Sequence, residues 1–184
     1  MNAQDSLQII QDAILNTKEN IRQHSFSFLY WGWLVIGTSL LHFFLLTSTN
    51  LTYSWIVWPV FMIIGYIIAV FIYRKKESAK GFQTQIDIFL KYLWIAMGIS
   101  FFMTFIFCTQ LKISPTPFMC MLSGIGTFSS GLIIKHKPLV AGGVAFFIFA
   151  IIALFLTGPS SLLVNAAAIF TGFIIPGYLL KSQK

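Results

Sequence analysis

His42 lies inside a long apolar run, where an imidazole could carry a proton or hold a cation. It shares a helical face with Gly32 and Ser39, a small, polar stripe of the kind that faces protein rather than lipid. The plainer reading is a neutral ring hydrogen-bonded to a neighbouring helix. Asn165 falls on one face with Ala168 and Gly172, and Pro176 has no N–H to offer the Gly172 carbonyl. A carbonyl freed beside a proline can hold an ion or a substrate; water or a nearby hydroxyl is the commoner partner. Ser123, Thr127, Ser129 and Ser130 crowd one run together with Cys120, Gly124, Gly126 and Gly131. That pattern suits either a polar lining or a central helix whose small residues admit a close neighbour.

Other chemistries lack their residues. An intramembrane metalloprotease needs paired histidines and a carboxylate, and no apolar run holds an acid. An aspartyl dyad fails for the same reason. Haem held between helices needs two embedded histidines, and there is no G-x-S-x-G nucleophile turn. Cys108 and Cys120 lack metal-ligand spacing. They approach the same outer boundary across one short loop, where either a disulfide or two free thiols would fit. No catalytic, cofactor-binding or metal-ligating residue is expected, and the chain reads as a non-enzyme. His42, Ser39, Ser123, Thr127, Asn165 and Pro176 remain as candidates for a polar pathway or for packing.

The elements that would position these residues follow from composition. The chain has 184 residues, 57% hydrophobic and 9% charged, with 20 phenylalanines; its mean hydropathy is +0.83. Soluble domains carry about 25% charged residues, so hydrocarbon must solvate most of this surface. Six apolar runs, at about 28–46, 54–73, 90–109, 118–134, 139–157 and 161–180, are continuous rather than alternating. They are near the roughly 20 residues a spanning helix needs. The fold class is therefore all-α: a polytopic membrane bundle of six transmembrane helices. It would comprise a cytoplasmic amphipathic helix within 1–25 and a membrane domain at 26–181. Leu7, Ile10, Ile14 and Ile21 would form the apolar stripe of that first helix, suited to the membrane interface or to a partner helix.

Orientation follows from the basic residues. Lys18, Arg22, Arg74, Lys75, Lys76, Lys80, Lys91, Lys135, Lys137, Lys181 and Lys184 fall on one side, against Lys112 on the other. The rich side is expected to be cytoplasmic, with both termini there. The net charge of +7 thus reads as a topology signal and not as a nucleic-acid surface.

The hairpins also resemble one another. Trp33 and Trp94, Gly65 and Gly126, and Arg74 and Lys135 are each 61 residues apart. Gly172 to Lys181 matches Gly65 to Arg74 nearly position for position. The spacing predicts three repeated helical hairpins related by an axis along the membrane normal.

At Tyr30-Trp-Gly-Trp-Leu34, Trp55-Ile-Val-Trp-Pro59 and Ile175-Pro-Gly-Tyr-Leu-Leu-Lys181, the chain resembles a group of bacterial six-span membrane proteins with an amphipathic start and no assigned activity. The resemblance implies a bacterial inner membrane and transfers no functional residue. The three-hairpin plan is also similar to that of mitochondrial carriers. Their proline-acid-basic signature at the odd helices is missing here, so transport is not carried over. The expected function is a non-catalytic regulatory or accessory subunit acting through partners: the lipid bilayer, and another membrane protein or a second copy. The alternative is a small transporter or channel for an ion or small solute. No cofactor is expected.

Overall fold

In hydrocarbon every backbone N–H and C=O must be paired within the protein, so long apolar runs fold as helices. The computed structural model describes residues 3–49, 53–77, 85–156 and 158–182, with the backbone alone at 3–24, 73 and 75–77. The described residues are almost wholly helical and contain no strand. The helices are α1 (Ala3–Ser48), α2 (Val57–Glu77, entered through a single 3-10 turn at Ser54–Ile56), α3 (Gln85–Leu111), α4 (Thr116–Ile134), α5 (Lys137–Leu154), α6 (Ser160–Ile169) and α7 (Ile175–Ser182). A π-helical turn at Phe170–Ile174 joins α6 to α7 into one sixth span. Among the described residues, six segments are long and apolar enough to cross a membrane, including Ser25–Ser48, Gln85–Leu111 and Ser160–Ser182. The chain is a multi-pass membrane protein with a helical-bundle fold.

Two boundaries differ from those read in the sequence. The first amphipathic segment is not a separate helix: α1 runs unbroken for 46 residues, about 70 Å at 1.5 Å per residue. Nothing between residues 23 and 28 breaks a helix, since no Gly or Pro stands there. The stripe Leu7, Ile10, Ile14 and Ile21 lies outside the described side chains, and Lys80 and Lys184 lie outside the described residues. The third span begins at Gln85 because the polar turn before Leu90 is itself helical.

Glycine decides which helices meet most closely. A Cβ on Gly143 would stand 2.6 Å from the Phe128 backbone nitrogen, and one on Gly131 would stand 2.6 Å from that of Val140. α4 and α5 therefore pack backbone against backbone, the close approach that small residues permit in membranes. The sixth span docks on α1 in the same way. Gly32 lies under Ile174 and Phe173, Gly177 lies under Leu29 and Phe28, and the Ser25 hydroxyl donates to the Gly177 carbonyl (2.9 Å). Phe28, Trp94, Phe146 and Phe173 meet at the centre with ring separations of 5.0 to 6.1 Å.

The resulting order of neighbours is α2, α1, sixth span, α5, α4, α3. α2 and α3 stand at its two ends, with 11% of each span buried, against 44% for α4 and 50% for the sixth span. α2 is held to α1 where Gly65 receives Leu34 and its carbonyl accepts from the Tyr30 hydroxyl (2.7 Å). Gly126 likewise faces Trp94 and Met97 of α3, and Gly172 faces Phe146 of α5. In each hairpin the glycine of the returning helix thus lies against the helix before it. Trp33 and Trp94 do not share an environment: Trp33 is 51% exposed, whereas Trp94 joins the central aromatic cluster.

Candidate functional site

The residues singled out in the sequence do not gather in one chamber. Ser39 and Asn165 do meet, between α1 and α6: Asn165 Nδ2 donates to Ser39 Oγ at 2.9 Å. The other end of the same amide, Oδ1, accepts from the Cys120 thiol of α4 at 3.8 Å. All three side chains are buried. One amide therefore bridges three helices, with its two ends used by partners of opposite hydrogen-bonding sense. Cys120 and Cys108 are both free thiols. Cys120 stood out in the sequence as one of the small residues of span four and as a possible partner of Cys108, and not as a partner of Asn165, because a thiol's partner on a distant helix leaves no local spacing.

His42 lies apart from this bridge. Its neighbour is α2, where the Trp58 indole N–H donates to His42 Nδ1 at 3.0 Å with the rings edge to face. An Nδ1 that accepts a hydrogen bond carries no proton, so the ring is the Nε2–H tautomer in this arrangement. Gly32 and Ser39 do share a face, toward the sixth span; His42 is turned from them toward the first hairpin's own return helix.

Two buried hydroxyls of α4 are spent on their own helix. Thr127 Oγ1 donates to the Ser123 carbonyl (2.6 Å) and Ser130 Oγ to that of Gly126 (2.7 Å). Thr38, fully buried on α1 and not anticipated in the sequence, donates to Leu34 in the same way (2.8 Å). Back-bonding of this kind lets a hydroxyl be buried without an interhelical partner.

Pro176 is buried directly after the π turn, in which the Ile175 N–H reaches back to the Phe170 carbonyl. The Gly172 carbonyl that Pro176 leaves without its i+4 donor points at α5: a Cβ on Gly142 would come within 2.6 Å of it. Glycine at 142 is what makes room for this oxygen, and a weak Cα–H···O contact is the interaction such closeness allows. Pro176 thus acts at a helix–helix contact, some way along the sixth span from the Asn165 bridge. Among the described residues no group of three His, Cys, Asp or Glu side chains comes together.

Comparison of the chain with protein-family models, curated proteins and solved structures finds no match. The class defined by fold and site is a six-span helical membrane protein in which a buried amide ties three helices together, and no family follows from it.

Proposed function

We propose that this protein is a non-catalytic regulatory or accessory subunit of a bacterial cytoplasmic membrane. Both termini lie on the cytoplasmic side, and it works through another membrane protein or a second copy of itself. The observation that carries this reading is the pairing of polar side chains inside the bundle. Asn165 is taken up by Ser39 and Cys120, His42 by Trp58, and the hydroxyls of Thr127 and Ser130 by their own helix. A solute path usually presents ionisable or clustered polar groups to water; here Asn165 and His42 are each paired with side chains of neighbouring helices. The orientation rests on the bias of basic residues toward one side. The three-hairpin repeat belongs to the same proposal, drawn from the shared 61-residue spacing and the glycine contacts of the returning helices.

A second reading, a small transporter or channel for an ion or small solute, draws on the π turn beside Pro176, since π-helical turns recur at functional sites. Reconstitution separates the two. Liposomes containing the purified chain should show no proton or cation flux above that of empty vesicles. A flux present in the parent and lost in Asn165→Leu or His42→Asn would make the transporter reading the better one.

A further inference from the structure

Among the described residues, one buried side chain has polar atoms left without any partner: both ring nitrogens of His136. The residue is only 2% exposed, although it forms a two-residue link with Lys135 between α4 and α5 and its neighbours Lys135 and Lys137 are both exposed. The backbone holds it there. Lys135 closes α4 in the left-handed conformation (φ 59°). Its N–H reaches the Leu132 carbonyl (3.2 Å), and the His136 N–H reaches that of Gly131 (2.9 Å). The His136 carbonyl then caps α5 by accepting from the N–H groups of Leu139 (3.1 Å) and Val140 (3.3 Å).

In this helix-ending motif the residue after the left-handed one commonly makes a hydrophobic contact back on the helix. The end of α3 uses the same motif, with Lys112 left-handed (φ 55°) and Ile113 following it. After α4 an imidazole stands in the apolar place. The turn also has little slack, because Gly131 touches the backbone of Leu139 and Val140.

Titratable groups at this end of the packed elements are Lys135 and Lys137 on the turn, Asp87, Lys91 and Tyr92 on α3, and Lys181 and Tyr178 on α7. α6 and the π turn carry none. None of these groups hydrogen-bonds the imidazole.

We propose that His136 is a proton-operated latch: its neutral ring allows the α4–α5 turn to close, and proton uptake by that ring opens the turn and uncaps α5. A neutral imidazole can be buried at the cost of two unmade hydrogen bonds. An imidazolium buried with no counter-charge costs far more, so the proton and the closed turn exclude each other. Burial pushes the His136 pKa below the ordinary histidine value. The open turn titrates near about pH 6.5 and the closed turn lower, so the open state binds more protons between those values. Closure is therefore favoured above about pH 6.5 and is lost as pH falls below it toward the lowered value. The latch stands whether the chain regulates a partner or conducts a solute.

Hydrogen exchange on the full chain in lipid nanodiscs, from pH 7.5 to pH 5 and corrected for the intrinsic pH dependence of exchange, tests it. In the parent, the amides of Leu139 and Val140 should lose protection progressively as the pH falls from about 6.5 to 5, while the middles of α4 and α5 keep theirs. His136→Leu and His136→Phe should hold the same amides protected throughout. Constant protection in the parent, an equal loss over the whole bundle, or the same loss in either variant would overturn the proposal. The parent's own pH series decides it should a variant fail to fold.

Discussion

An amide side chain in hydrocarbon is an asset only when both its ends are used, and Asn165 uses both. Its N–H goes to Ser39 and its oxygen takes the Cys120 thiol. Interhelical hydrogen bonds in membranes average only about 0.6 kcal/mol, so Ser39→Ala should be mild. Asn165→Leu removes the amide from both partners at once and should cost about 1–2 kcal/mol, leaving a hydroxyl and a thiol buried without it. A double-mutant cycle between positions 39 and 165, read from unfolding in bicelles, should give a coupling near 0.6 kcal/mol; a coupling of zero would mean that the bridge contributes nothing. The His42–Trp58 pair makes a sharper prediction, because its evidence is a tautomer. With the Trp58 indole donating to Nδ1, nitrogen chemical shifts at neutral pH should report the Nε2–H form. In Trp58→Phe the preference should relax toward a mixture. A mixture already present in the parent would show that the hydrogen bond is not formed.

Helix contacts here are set more by what is missing than by what is present. Gly143 and Gly131 stand where a side chain would enter the backbone of the facing helix. Backbone cannot be moved aside as a flexible side chain can, so Gly143→Ala should force α4 and α5 apart, at about 1–3 kcal/mol. Gly37 and Gly98 face open space, and alanine there should be neutral or slightly stabilising, since glycine inside a helix costs about 1 kcal/mol against alanine. Thermal unfolding of the three variants checks this, and equal losses at positions 143 and 37 would contradict the packing argument.

This is also where the sequence was most and least legible. Glycines and hydroxyls crowded into span four announced a helix with close neighbours, because such residues are out of place against lipid. Pro176 announced an interruption, and the π turn lies immediately before it. Nothing announced that Cys120 would face Asn165, that His42 would turn toward α2, or that His136 would be buried in a link flanked by lysines. Those outcomes depend on how helices rotate against one another and on how a two-residue turn is folded. A rotation of some tens of degrees changes a residue's neighbour while leaving its spacing intact.

Which side each end of the bundle faces is a property of the whole chain in its membrane, and the two left-handed lysines offer a direct way to measure it. Lys112 closes α3 and Lys135 closes α4, one at each end of that hairpin, and both side chains are exposed. Their backbone settings are nearly the same: φ 55° and 59°, each followed by a residue whose N–H returns to the preceding helix. A cysteine at either position would therefore meet the same local geometry, and a difference in labelling from outside would report the side of the membrane rather than local burial. The native thiols add little background, since Cys108 and Cys120 are both buried. The proposed orientation, drawn from the bias of basic residues, puts Lys135 inside and Lys112 outside. In intact cells a membrane-impermeant maleimide should label Lys112→Cys and leave Lys135→Cys untouched until the membrane is permeabilised. Labelling of Lys135→Cys in intact cells, with Lys112→Cys protected, would invert the topology. His136 would then be exposed to the pH outside the cell instead of that of the cytoplasm, and the latch would respond to external acid.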